Sequence, residues 1–410
     1  MSLLRIAMIG PFGMRPKGTM RMRALPLAGE LAARGHAVKM LLPPWHTPGE
    51  AGRRWQERGV EIENVSLWPG RAPWLYPMVS ARLVRGALSW HPSVIHCFKP
   101  KAYAGWAAWI VWQLRWLRAT RARLVVDEDD WEGPGGWNDL EPYPPLLRRG
   151  FAWQERWGLR HCDAVTVASR TLESLVWSLG VPPERVHYLP NGAYLAAPGD
   201  GRRVRAQYGL GSAPVILLYT RFFEYDVARV IECLARVRQE LPTARLLVVG
   251  QALYPQHGQR FRRLAQQAGQ ADAIVDAGWV AQAQLPDYFA AADAALYPFD
   301  DTLVNRCKCA VKLLDLLAAG VPVVAEAVGQ NAEFIRHGET GLLAPSGQAA
   351  ALAQATLALL RDRPLAQRLG QAAARSLLAD YSWNVLADRL LAAYGQDEGG
   401  KNGRIYASDA

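Results

Sequence analysis

Two clusters of ionisable residues have the types and spacing to do chemistry. The first is the segment Asn305 to Val324 (NRCKCAVKLLDLLAAGVPVV), in which Lys308, Lys312 and Asp315 stand four and three residues apart. A helix beginning near Cys307 would set all three on neighbouring faces. Lysines in the first turn of such a helix suit a diphosphate, because free backbone N–H groups there add to their charge. A carboxylate one to two turns deeper, Asp315, can accept hydrogen bonds from vicinal hydroxyls such as a ribose diol. The same spacing also describes a solvated charge stripe. The second cluster is Asp127-Glu128-Asp129-Asp130-Trp131-Glu132-Gly133, whose adjacent acids repel unless some meet water and others meet cations. Three readings fit it. Asp129 or Asp130 accepts hydrogen bonds from ligand hydroxyls, Asp127-x-Asp129 holds a divalent metal, or the run is an acidic surface loop. His96, followed by Lys99-Pro100-Lys101, either lines an acceptor site or is structural.

The elements that must position these residues alternate along the chain. Apolar runs at Leu3–Ile9, Ala37–Leu42, Val60–Val65, Val94–Cys97, Arg123–Val126 and Ala164–Ala168 read as strands, as buried parallel strands do. Helical periods separate several of them, including one from Ala24 to Arg34 with Gly35 as its C′ residue and one from Tyr103 to Leu117. Pro190-Asn191-Gly192 and the polar stretch to Gly211 break the pattern and mark a domain boundary. A second series follows, with strands at Val215–Tyr219, Arg245–Val249, Ala273–Asp276, Ala294–Tyr297 and Val321–Ala325, then helical periods from Gln348 to Tyr394. Strands alternating with helices predict doubly wound parallel sheets. The expected division is 1–195, 196–380, a returning helix over 381–395 and a flexible tail over 396–410. Ligands of such sheets bind beyond the strand C-terminal ends.

Composition narrows the class. At 410 residues, half of them apolar, the chain suits two domains rather than one core. No repeat or low-complexity tract is present. The N-terminal apolar run lacks a basic flank and cleavage site, so it reads as a strand rather than a signal peptide. The run Ala102–Leu114 is too short to span a bilayer. Five scattered cysteines without a secretion signal read as reduced thiols inside the cell, and Cys307-x-Cys309 lacks the second ligand pair of a zinc site. Gly10 to Gly13 is not a G-x-G-x-x-G fingerprint, which leaves nicotinamide and flavin unsupported.

Charge is uneven. Residues 1–126 carry 19 Lys and Arg against 5 Asp and Glu, whereas residues 196–410 carry 22 against 21. A basic first half fits an anionic lipid surface or a phosphorylated acceptor as well as a plain solvated face. Trp106, Trp109, Trp112 and Trp116 recur at helical spacing beside Arg115 and Arg118, and Trp68, Trp74, Tyr76, Arg82 and Arg85 form a second aromatic and basic group. Such stripes pack cores or lie in a membrane interface.

Further motifs fall in order along the chain: Arg34-Gly35-His36-Ala37-Val38, Asp163 to Ser169 followed by Leu189-Pro190-Asn191-Gly192, Gly329-Gln330-Asn331-Ala332-Glu333, Gly338 to Leu343, and Tyr381-Ser382-Trp383. With Asp315 five residues before Gly320-Val321-Pro322-Val323-Val324, the set resembles glycosyltransferase family 4, the retaining enzymes of the GT-B fold. That resemblance implies an α/β protein of two Rossmann-like doubly wound domains facing a cleft, with a C-terminal helix crossing back to the first. It also implies transfer of a sugar from a nucleoside-diphosphate sugar to the hydroxyl of a sugar, lipid-linked or small-molecule acceptor. The expected setting is the cytoplasm or the inner face of an anionic membrane. No metal, no further cofactor and no nucleic-acid partner are expected.

By the same resemblance Arg221 binds the donor diphosphate, Gly278 and Val280 border the nucleobase through the main chain, and Gln330 and Asn331 lie in the loop after the PVV strand. Pro16-Lys17-Gly18-Thr19, with Arg21 and Arg23, is similar to the family's glycine loop near the phosphate, so Gly18 and Thr19 join the donor set. Two departures stand out. Cys307 replaces the first of two glutamates, the second being Asp315, and no lysine follows Arg221 in Phe222 to Val227. Lys308 and Lys312 are expected to supply that charge. Asp129, Asp130, Arg221 and Lys312 form the expected catalytic set. The rival readings are a GT-B sugar-nucleotide epimerase and a non-catalytic nucleotide-sugar-binding protein.

Overall fold

The computed structural model describes residues 2–16, 18–67 and 75–396. Lys17, Trp68, Trp74 and the expected tail beyond Gln396 lie outside them. The described chain forms two compact units, one of residues up to Asn191 together with the segment from Trp383, the other Gly192–Ser382.

Short apolar runs, many rich in Val, Ile and Leu, become the strands of the first unit. They are β1 (Arg5–Ile9), β2 (Ala37–Leu42), β3 (Arg54–Glu57), β4 (Val60–Asn64), β5 (Val94–Phe98), β6 (Arg123–Glu128), β7 (Ala164–Val167) and β8 (Val186–Tyr188). Their order across the sheet is β3-β4-β2-β1-β5-β6-β7-β8. Every pairing is parallel except β3 with β4. The second unit carries β9 (Val215–Tyr219), β10 (Arg245–Val249), β11 (Ile274–Asp276), β12 (Ala294–Tyr297), β13 (Val323–Glu326) and β14 (Leu342–Ala344), in the order β11-β10-β9-β12-β13-β14 and all parallel.

Both sheets reverse direction of winding at one place, between β1 and β5 in the first and between β9 and β12 in the second. Connections leave to opposite faces there, which opens a crevice beyond the strand C-termini. The loops after β1, β5 and β6 therefore gather at the end of one sheet, and those after β9 and β12 at the end of the other.

The C-terminal run is helical over Ala349–Arg361, Arg363–Tyr381 and Trp383–Ala393. The last of these belongs to the first unit. Arg34 donates to the Asn384 carbonyl and pairs with Asp388, and Arg123 donates to the Ala393 carbonyl.

Several elements differ from expectation. The strands β3, β8 and β14, the helix Leu75–Leu88, which carries Tyr76, Arg82 and Arg85, and the helix Pro145–Arg160 are additional. The helix expected from Cys307 is split. Leu303–Cys307 ends a short helix, Lys308 and Ala310 are extended, and a second helix runs Val311–Ala318. Lys308 thus precedes the helix, and Lys312 occupies its first turn.

Candidate functional site

In the second unit, β9 ends at Tyr219 and its loop turns sharply at Phe222, whose φ is +58°. The Thr220 hydroxyl holds that turn by accepting the Phe222 N–H at 2.8 Å. The turn brings Glu224 back against Arg221, which donates to it at 2.8 Å through Nη2 and 3.2 Å through Nε. Lys308, reaching in from the break between the two helices, donates to the same Glu224 oxygen. Burial opposes ionisation of Glu224, yet Lys308 and Arg221 hold its carboxyl well below the usual carboxylate range.

Lys312 sits beside this group and differs from it. Its ammonium lies 3.4 Å from the centre of the Tyr219 ring, a cation–π contact. It makes no hydrogen bond or ion pair among the described residues. Burial and the neighbouring Arg221 charge push its pKa down to about 7. Asp315, one turn deeper on the same helix, is raised to about 6 by burial against the pull of Lys312, and its carboxylate likewise has no hydrogen-bonding partner among the described residues. A small pocket opens here, lined by Tyr219, Glu224, Phe299 and Lys312 among others. The charges of Arg221 and Lys308 act on Lys312 from beside it. The arrangement can balance a dianion and accept hydrogen bonds from a diol.

The remaining second-unit residues are placed as follows. Gly278 is left-handed at φ +64°, receives the Gly250 N–H on its carbonyl and donates to Asp276. It leads to an exposed Trp279 and a partly buried Val280. Gln330 and Asn331 are buried. The Gln330 amide donates to Glu333 and the Asn331 amide to the Glu326 carbonyl, which ties both side chains to their own loop. Cys307 is fully buried. No disulfide joins the five buried cysteines.

In the first unit the acidic run is sorted residue by residue. Asp127 spends both oxygens on Arg23, at 2.8 and 2.6 Å, and accepts the Thr166 hydroxyl at 2.6 Å. Arg23 is buried and also bonds the Leu189 carbonyl. The expected roles of Arg21 and Arg23 are therefore corrected. Arg23 is a core arginine holding Asp127, whose oxygens are both engaged by it, and Arg21 pairs with Glu57. Glu128 is fully buried with neither oxygen hydrogen-bonded. Burial, then the charge of Glu155, raises its pKa well above the usual range.

Asp129 accepts the Thr19 hydroxyl at 2.7 Å, which joins the Gly18-Thr19 turn to the acidic loop. Burial raises its pKa, against the pull of Lys99. Lys99 donates to Asp130 at 2.8 Å and lies 3.6 Å from Asp129 and 3.5 Å from Glu132. Of the two aspartates, Asp130 keeps the more accessible carboxyl, 21% against 10%. His96 is a core residue. Its Nδ1 meets the Tyr394 hydroxyl at 2.9 Å, and burial pushes its pKa down to about 4.

Sequence reasoning missed Glu224, whose only signal was its spacing of three from Arg221, and Glu155, which has none. It named Lys99 and, separately, Asp129, Asp130 and Glu132, but not the contacts between them.

Comparison with known proteins agrees with this architecture. Residues 18–192 match the family model described as glycosyl transferase 4-like domain, and residues 213–362 the one described as glycosyl transferases group 1. The chain is 28% identical to the GDP-mannose-dependent alpha-(1-6)-phosphatidylinositol monomannoside mannosyltransferase of Mycobacterium tuberculosis, over 88% of this chain and 90% of that protein. It is 25% identical to the phosphatidyl-myo-inositol mannosyltransferase of Mycobacterium leprae, over 95% and 96%. Among solved structures, sucrose-phosphate synthase from Thermosynechococcus elongatus superposes with a TM-score of 0.75 at 22% identity, covering 96% of this chain and 98% of that one. Anabaena HepE in complex with UDP and glucose gives 0.71 at 18%, covering 96% and 99%. Both halves are matched in order and both sheets have the expected winding: the chain belongs to glycosyltransferase family 4 and is a glycosyltransferase of the GT-B fold.

Proposed function

We propose that this enzyme moves a glycosyl group from a nucleoside-diphosphate sugar to a hydroxyl of a sugar or lipid-linked acceptor, with retention of configuration. The observation that carries the reading is the cation group of Arg221, Lys308 and Lys312 at the end of β9, with Asp315 one turn deeper. The cations and the N–H groups that open the helix at Val311 face the charge that develops when the anomeric C–O bond to the diphosphate breaks. The acceptor oxygen forms the new bond, and its proton passes to the leaving phosphate. Asp315 takes the ribose hydroxyls.

In this reading Asp130 rather than Asp129 meets the acceptor hydroxyl, supported by its more accessible carboxyl. Of the mycobacterial relatives, one is named a GDP-mannose-dependent mannosyltransferase of phosphatidylinositol monomannoside and the other a phosphatidyl-myo-inositol mannosyltransferase, which supports a hexose donor and a lipid-linked acceptor met at an anionic membrane. An epimerase or a non-catalytic binder is not favoured by such relatives.

A screen of purified protein against UDP-, GDP- and ADP-sugars, reading bound donor and released nucleotide with and without phosphatidylinositol-type acceptors, tests the reading. Nucleotide released only with acceptor, and undiminished by EDTA, is the expected result. Donor isomerised without acceptor indicates an epimerase. Binding without product for any acceptor indicates a non-catalytic protein.

A further inference from the structure

We infer that the paired helices Ala102–Trp116 and Pro145–Arg160 form a face that docks on an anionic bilayer. The longer helix buries Phe151, Gln154, Glu155, Gly158 and Leu159. Its other side presents Leu146, Arg149, Trp153, Arg156 and Arg160, all exposed and spaced three, four, three and four apart, one continuous solvent stripe. The companion helix packs inward through alanines, Gly105 and Val111 and turns its tryptophans to the same surface.

The aromatic contacts join the two helices. Trp106 lies 6.3 Å from Trp153, Trp112 lies 6.3 Å from Trp157, and Trp153 lies 6.2 Å from Trp157. The stripe ends are open to solvent, with Leu146 81%, Trp153 46% and Trp116 77% exposed.

Charge names the occupant. The companion helix contains no acid, and Glu155, the only acid of the longer one, is buried. The side chains of Arg118, Arg149 and Arg156 make no hydrogen bond or ion pair among the described residues. A second copy of the chain would set these arginines against themselves, which disfavours a symmetric dimer. Phosphate headgroups complement them, while tryptophan and leucine enter the interfacial layer beneath. No described helix is long and apolar enough to cross a membrane, so the face would rest on the bilayer. A lipid-linked acceptor gives the docking its purpose, and to that extent the inference rests on the proposed function. Vesicle binding is read without turnover, so either can fail alone.

The test is sedimentation of the full chain with phosphatidylcholine vesicles, alone or with about one third phosphatidylglycerol, at near-physiological salt. The expected result is binding only to the anionic vesicles. Arg149→Gln/Arg156→Gln should lower the partition coefficient about tenfold or more, and Trp116→Ala/Trp153→Ala about tenfold. Circular-dichroism melting should be unchanged in the arginine variant, whose side chains are exposed, and only modestly lowered in the tryptophan variant, because Trp153 also packs on Trp106 and Trp157. Absence of wild-type binding overturns the inference, as does equal binding of wild type and variants. A wild-type dimer that the same substitutions dissociate, without vesicle binding, assigns the face to protein association instead.

Discussion

The Lys312 ammonium rests 3.4 Å from the centre of the Tyr219 ring, and no carboxylate is bonded to it. Its pKa of about 7 means that it loses its charge as the pH rises through neutrality, while Asp315, at about 6, becomes a carboxylate only above that value. Affinity for an intact nucleotide-sugar should therefore peak between about pH 6 and 7 and fall on both sides. Calorimetric titration from about pH 5 to 9 checks this. Lys312→Met should weaken binding about tenfold or more and remove the alkaline limb, and Asp315→Asn should remove the acid limb. Unchanged affinity in Lys312→Met would mean that this lysine does not replace the family's missing cation.

Glu224 joins Arg221 to Lys308, and removing its charge leaves two cations without the group that orients them. Glu224→Gln is expected to raise the donor KM about tenfold with little change in kcat, with partial recovery in Glu224→Asp. Tighter donor binding in the glutamine variant would show instead that Glu224 only competes with the diphosphate.

Arg23 and Asp127 are a fully buried ion pair with two hydrogen bonds between them. Losing one charge strands the other, so Asp127→Asn should cost about 3–5 kcal/mol in urea denaturation of the first unit. Nucleotide affinity, a property of the second unit, should change less than about twofold.

Glu155 is raised to about 8, first by burial, although the Glu132 N–H bonded to it pulls the other way. The folded state keeps a proton that the unfolded chain releases above its ordinary carboxylate pKa, so stability falls as the pH rises from about 4.5 to 8. Glu155→Gln removes that slope and should be the more stable protein near pH 8 by roughly 1 kcal/mol. Denaturation midpoints measured across that range decide it.

Most parallel strands were legible because a strand buried on both faces is a continuous apolar run, as in Leu246–Val249 or Val323–Ala325. The edge strand Arg-Trp-Gln-Glu at 54–57 has no such run, being half exposed. Lys312 and Asp315 could be read together because their relation is local, one turn of one helix. The break at Lys308 could not, since what draws that lysine out of the helix is Glu224, 84 residues earlier. Arg23 looked like a surface arginine for the same reason. Its partner Asp127 is 104 residues away, and local sequence carries no mark of a contact made only by the folded sheet.

The helix Trp383–Ala393 completes the unit that the N-terminus begins, contributing Leu386, Leu390 and Leu391 to its buried side and leading to the Tyr394 hydroxyl beside His96. During synthesis this sets an order. The second unit has all of its strands by Ala344 and its last helix by Tyr381, so it can close while the ribosome is still translating. The first unit, though made first, waits with an uncovered apolar groove until the last turns of helix emerge. A nascent chain of this enzyme is thus most exposed in the interval between the start of the first unit and the arrival of the helix that covers it.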